Sequence, residues 1–218
     1  MNQHLEAIQQ LLRTPGGRLD VVSSLVISLC VIVVFAAVLV NFRMSRRAGE
    51  GVKRERKSLV ATGSMTVFFL LFYGVIRFRI GEMPIATSGL RISMVVTGLS
   101  VIVFGCAVNI LGRFRLGGNW ANQATIYQEQ KLVTAGVYGW VRHPLYASLI
   151  WMFFGASLVY ANAVAFLMNA LIFLPFMVYR AGLEETLLAR EFEEYGDYQK
   201  RVGMLFWKPG GRQKRKDP

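Results

Sequence analysis

The residues able to do chemistry crowd into the second half of this chain. Arg142-His143-Pro144-Leu145-Tyr146 sets one of only two histidines beside a proline, with Gln130-Lys131-Leu132-Val133 and Tyr138 just upstream. Proline is favoured in the first helical turn, so the spacing predicts a helix that starts at Pro144. His143 then stands at its N-terminal edge, where free amide donors and the dipole favour an anionic group. Either a ligand carboxylate or plain helix capping accounts for that placement. Further on, Arg180 and Glu184 lie four apart in a segment that reads as helix. They share a face, as an exposed ion pair contributing only ~0.2–0.5 kcal/mol or as two groups aimed at a ligand. Cys30 and Cys106 sit inside apolar runs with no His, Asp or Cys at ligand spacing, so neither a metal site nor a disulfide framework can be argued from them.

The stretch from Leu116 to Pro144 is 29 residues long and dense in special residues, including Gly117-Gly118-Asn119-Trp120 and Gln123. Connections beyond ~12–15 residues in a compact protein are usually functional or disordered. The aromatic and apolar content of this one argues against disorder.

The elements that must hold these residues are membrane helices. The chain has 218 residues, 54% hydrophobic and 17% charged, with a net charge of +12 and a mean hydropathy of +0.40. That excludes a disordered chain, a fibrous repeat and an ordinary soluble domain. Val21 to Val40 and Ile92 to Leu111 are uncharged runs of 20 residues each. At ~1.5 Å per residue either one matches a hydrocarbon core of about 30 Å. Leu59 to Ile76 offers 18 uncharged residues, and Leu145 to Tyr179 offers 35, broken at Ala161-Asn162. The last run reads as a tight helical hairpin. The fold expected is all-α and polytopic, with five transmembrane helices and a C-terminal cytoplasmic helix. The first apolar run outlasts the ~7–15 residues of a signal-peptide core and starts only at residue 21, so it reads as a membrane helix.

Charge bias orients the chain. Counted over alternate connecting segments, twenty Lys and Arg fall on one side and five on the other. The basic side faces the cytoplasm, placing the N-terminus outside and the C-terminus inside. The expected location is the plasma membrane of a prokaryote or the endoplasmic reticulum of a eukaryote. Because the basic excess follows topology and no aromatic-interleaved basic platform exists, nucleic acid is not expected as a partner. The tail Arg212-Gln213-Lys214-Arg215-Lys216 reads as lying on anionic lipid headgroups.

Three units follow from this division. Residues 1–112 are a scaffold of three helices, with Gly98, Gly105, Ser93 and Thr97 allowing close helix approach and no ionisable group at membrane depth. Residues 113–203 carry the chemistry, and residues 204–218 are the basic tail. Leu188, Phe192 and Tyr195, at spacings of four and three, predict that the fifth helix continues through Val202 as an amphipathic helix laid against the connector that precedes Pro144.

Leu132-Val133-x-x-Gly136-x-Tyr138-x-x-Val141-Arg142-His143-Pro144-x-Tyr146, followed by Glu184-Glu185-x-x-Leu188 and Tyr195-x-x-Tyr198-x-x-Arg201-Val202, resembles the isoprenylcysteine carboxyl methyltransferase family over about residues 111–203. Gly117-Gly118-Asn119-Trp120 is similar to the segment preceding that motif in many small members. The resemblance implies an all-helical membrane enzyme that uses S-adenosylmethionine to methylate a lipid or lipidated substrate. It implies cofactor contacts at Gln123, Gln130, Lys131, Leu132, Val133, Tyr138, His143, Pro144, Leu145, Tyr146 and Glu184, and a substrate contact at Arg180. The family usually has a glycine after the position of Phe192, whereas Glu193 follows here, with one residue fewer before Tyr195.

The implied reaction is displacement at a methyl carbon by a carboxylate oxygen. A carboxylate is already ionised at neutral pH, so no general base is required and the lack of a Ser-His-Asp arrangement is no objection. Catalysis then rests on positioning and desolvation. Three alternatives stay open at this level: an amine acceptor, as in phospholipid N-methyltransferases; an NADPH-dependent sterol-type reductase, disfavoured by Leu145 where such enzymes tend to have Asn; and a non-catalytic membrane scaffold.

Overall fold

Long apolar segments fold as helices because a helix satisfies its own backbone polar groups. The computed structural model describes residues 15–47, 52–56, 59–85, 87–117, 124–127 and 131–208. In chain order they form α1 (Pro15–Arg47), β1 (Val52–Arg56), α2 (Leu59–Arg77), α3 (Ser88–Leu116), β2 (Ala124–Tyr127), a 3-10 turn (Gly136–Gly139), α4 (Pro144–Val159), α5 (Ala163–Glu191) and α6 (Tyr195–Arg201). Three segments are long and apolar enough to cross a membrane: Gly17–Asn41, Ser88–Leu116 and Ala163–Glu191. Two shorter apolar helices accompany them, Gly63–Arg77 and Pro144–Val159. The protein is an integral membrane protein.

The centre is the α3–α4 pair. Gly98 and Gly155 face each other so closely that a Cβ on either would lie 2.6 Å from the other's carbonyl oxygen. Gly105 similarly admits Met152, and Gly112 admits Pro144 and Leu145. These three α3 glycines recur every seven residues, which keeps them on one helix face. On one flank α1 packs through Cys30 and Val34 against Ile102 and Cys106. On the other, α2 packs through Phe68 and Phe72 against Phe153 of α4 and Phe173 of α5. A π-turn at Asn169–Phe173 precedes Pro175, which has no amide hydrogen for a regular helix.

Hydrogen bonds gather the connections at two ends. At one, Asn162 caps α5 by accepting from the Ala165 amide at 2.8 Å and donates to the Ile80 carbonyl at 2.9 Å. Ala163 donates to Gly81, and Arg91 reaches Asp20 at 3.0 Å. The tip residue Ala161 has φ +45, a left-handed conformation that the surrounding bonds must hold. At the other end β1 pairs antiparallel with β2, and the start of α4 meets the chain after α6.

Three expectations change. Among the described residues the regular elements are helical except for the β1–β2 ladder; strands of five and four residues, paired across more than sixty residues of sequence, leave no periodic trace in their two loops. The helix leaving the bilayer does not run on to Val202. It ends at Phe192, whose φ −120 and ψ 112 are extended, and a separate α6 turns back; the expected docking on the connector holds, with Tyr195, Tyr198 and Val202 buried against Leu132 and Leu188. A straight continuation would carry those side chains away from Leu132. Finally, α3 extends past Leu111, so Arg113 lies inside it and not in a loop. It donates to Asn109 Oδ1 at 2.8 Å and to Asn41 Oδ1 of α1 at 3.4 Å, partners that compensate its burial.

Candidate active site

His143 is where the site is assembled. Its amide donates to the Met204 carbonyl at 3.0 Å, and the Arg142 amide donates to Gly203 at 2.8 Å. A Cβ on Gly203 would fall 2.0 Å from the Phe206 carbonyl, so only glycine closes the turn presenting these acceptors. Pro144 occupies the first turn of α4, and the Ala147 amide bonds back to the His143 carbonyl at 3.0 Å. The imidazole is thereby fixed at the helix entrance and buried.

Two adjacent glutamates of α5 meet that ring in different ways. Glu185 Oε1 accepts from Arg142 Nε at 2.8 Å and faces His143 Nε2 at 3.1 Å, while its Oε2 accepts from Gln199 Nε2 at 2.8 Å. Arg142 also donates to the Gln199 carbonyl at 3.1 Å and to that of Val202. Glu185 is therefore enclosed by three donors from two segments, Arg142-His143 and α6. Glu184 faces His143 Nδ1 at 3.5 Å and accepts from the Tyr146 hydroxyl, yet keeps 27% of its side chain exposed. With a carboxylate opposite each ring nitrogen, the imidazolium is the form that donates to both. Burial opposes that charge, but the hydrogen bonds and fields of Glu184 and Glu185 outweigh it, so the pKa of His143 rises above its ordinary 6.5.

Tyr146 links the histidine to Arg180. Its ring stacks on His143 with centroids 5.8 Å apart and planes 12° off parallel, and the Arg180 guanidinium carbon stands 5.7 Å over it. Arg180 Nη1 also lies 2.8 Å from Met65 Sδ of α2. Tyr138 is buried beside this group; its carbonyl accepts from the Tyr198 hydroxyl at 2.6 Å, and its own phenol is pushed up by burial first and then by Glu184. Burial likewise raises the phenols of Tyr195 and Tyr198.

Of the residues singled out from the sequence, His143, Tyr146, Arg180 and Glu184 converge, with Tyr138 beside them. Leu132 packs with Tyr195 and Tyr198, and Val133 with Val137 and Tyr138. Pro144 and Leu145 lie against Gly112 of α3, while Lys131 is exposed. Gln123 and Gln130 lie outside the described residues. Sequence reasoning passed over Arg142, Glu185 and Gln199 as members of the site. The Arg142-His143 and Glu184-Glu185 doublets carried the signal: two basic groups beside two acidic ones are what a closed charge network needs. Among the described residues no three His, Cys, Asp or Glu side chains are grouped to hold a metal ion.

A family model described as the isoprenylcysteine carboxyl methyltransferase (ICMT) family matches residues 96–190, the stretch that carries all four converging side chains. Residues 96–190 are thus similar to the ICMT family. Protein-S-isoprenylcysteine O-methyltransferases from Mus musculus and Homo sapiens are each 36% identical to the chain, over 117 and 121 residues. The matched regions are 51% and 52% of this chain but 41% and 42% of those proteins. The Saccharomyces cerevisiae protein of the same name is 30% identical over 112 residues, 47% of each chain. The chain thus spans less than half the length of these curated relatives. The solved structure of the eukaryotic intramembrane Ras methyltransferase ICMT aligns with a TM-score of 0.50 at 24% identity, covering 72% of this chain and 54% of that one. It shares the ICMT fold.

Proposed function

We propose that this protein is an S-adenosylmethionine-dependent carboxyl O-methyltransferase acting on the carboxylate of a lipidated, isoprenylcysteine-like substrate. The observation that carries the reading is the convergence of His143, Tyr146, Glu184 and Arg180 where α4 and α5 meet the connector from α3. Electrophilic methyl is what S-adenosylmethionine supplies when bound, with a neutral thioether as leaving group. The residues suit that cofactor. Partly exposed Glu184 offers an acceptor for an ammonium or ribose hydroxyl, the α4 entrance around His143, Pro144 and Leu145 favours a carboxylate, and Tyr138 and Tyr146 provide aromatic surface. In this reading Gln123, Gln130 and Lys131 to Val133 complete the connector's side of the pocket.

Arg180 holds the acceptor carboxylate, since a planar guanidinium matches two carboxylate oxygens. Its stacking on Tyr146 fixes the fork, and α2 beside it excludes water from the nucleophile. No residue need remove a proton. Glu185 and Arg142 act by locking His143 in place and touch no ligand.

All five long helices are proposed to cross the membrane, with α4 and α5 as a hairpin. Residues 1–112 then serve as scaffold, 113–203 as the catalytic region and 204–218 as a lipid-facing tail. Bonding of the connections into two ends supports this, because the basic segments share the end that holds the site. That end is assigned to the cytoplasm, with the N-terminus outside. The test is labelled-methyl transfer by purified protein offered a prenylcysteine analogue, phosphatidylethanolamine and total lipid extract in parallel. The expected product is alkali-labile and forms with the prenylcysteine analogue. An alkali-stable product from the amine lipid overturns the carboxylate assignment.

A further inference from the structure

We propose that Met65 of α2 plugs the acceptor-carboxylate site, and that its displacement selects acceptors whose carboxylate arrives on an apolar chain. The inference rests on the reading of Arg180 as the carboxylate-binding residue. Arg180 is buried, and among the groups against it are the Tyr146 ring, 5.7 Å from its guanidinium carbon, and the Met65 thioether, 2.8 Å from Nη1. An acceptor that pairs with Nη1 has to move Met65 first.

The chemistry favours that exchange. A thioether is a weak acceptor, whereas a carboxylate forms charge-assisted, bidentate bonds with arginine. Methionine has three rotatable bonds and repacks at little cost. Its surroundings also say where an acceptor comes from. Met65 shares α2 with Phe68 and Phe72, which anchor that helix to Phe153 and Phe173, while Val67, Leu70 and Leu71 point away from the protein. Helix α2 is thus the wall between Arg180 and the surrounding lipid. An apolar chain lying along it fills the space that Met65 vacates, a compensation that a short, polar carboxylate cannot supply.

The experiment compares wild type, Met65→Ala, Met65→Leu and Met65→Phe in lipid nanodiscs, with S-farnesylated and S-butylated N-acetylcysteine as acceptors. Expected is a fall of about five-fold in KM for the farnesyl acceptor with Met65→Ala, with a proportionally larger gain in kcat/KM for the butyl acceptor. Met65→Leu, which keeps the volume but loses the sulfur acceptor, lowers KM by less, and Met65→Phe raises it. S-adenosylmethionine affinity, read by calorimetry, stays at the wild-type value throughout. An unchanged or raised KM in Met65→Ala overturns the proposal; should that variant fail to fold, an unchanged KM in Met65→Leu does so. A wild type that binds S-adenosylmethionine but methylates neither acceptor refutes the parent reading, and the plug with it.

Discussion

The two ends of the helix bundle are both tied by polar side chains, and they are tied differently. At the Tyr160–Asn162 tip, Asn162 spends its amide on the Ile80 carbonyl and the Ala165 amide. Neutral groups close the turn itself, and the ion pairs at that end, Arg91 with Asp20 and Arg79 with Glu82, each keep one partner largely exposed. At the opposite end the ionisable groups are drawn inside: Arg142 and His143 meet Glu184 and Glu185, and of the four only Glu184 keeps substantial exposure. Part of that network is sealed and part is open, since Glu185 is enclosed by donors while Glu184 keeps an exposed flank. Structural polar groups are saturated by the protein itself, whereas a binding group keeps capacity for a ligand.

Substitutions can break this comparison or sharpen it. Arg180→Ala is expected to have the largest effect, a loss of about a thousand-fold in kcat, because transition-state positioning by a buried cation is worth several kcal/mol. Cofactor affinity should survive in a calorimetric titration of the same sample; a parallel loss of affinity would move Arg180 to the cofactor side. Next comes Arg142→Ala. Removing one partner of the buried pair with Glu185 should cost about 3 kcal/mol of stability, seen as a lower Tm in detergent. A variant with native Tm would show that the enclosure of Glu185 is ornamental.

Glu184→Gln keeps shape and removes charge, so S-adenosylmethionine affinity should drop about ten- to thirty-fold with little change in Tm. Asn162→Ala, at the other end, should cost about 1 kcal/mol through the lost helix cap and leave cofactor affinity alone. The smallest effect is one of pH. The pKa of His143 lies above 6.5 in the folded protein, so its contribution to stability is complete below that value and is lost as pH rises through the raised one. A shallow alkaline decline in Tm is expected in the wild type and absent in His143→Gln. A decline on the acid side alone would give the histidine the opposite sign.

How much of this was legible beforehand differed between the regions as well. Apolar runs mark membrane helices by length alone, and the break at Ala161-Asn162 shows in composition. His143 could be picked out because histidine is rare in this chain, and Tyr146, Arg180 and Glu184 because they fall in motifs where an apolar run meets charge. What escaped depends on pairing across distance. The β1–β2 ladder joins two loops, and Gln199 reaches Glu185 only because α6 folds back after Phe192. Arg113 was placed in a loop because charge normally ends a membrane segment, and only Asn109 and Asn41 explain its place in the helix. Gly112 went unremarked although it continues the seven-residue repeat of Gly98 and Gly105.

The central claim is that the connector and the emerging part of α5 form one cofactor pocket around His143 and Glu184. Calorimetric titration of S-adenosylmethionine into the wild-type protein and the His143→Ala, Glu184→Gln double variant in nanodiscs tests it most directly. The account predicts saturable binding of one molecule per wild-type chain, and a folded double variant that no longer binds in the same concentration range. Equal affinities in the two proteins, or no binding to the wild type, would contradict it.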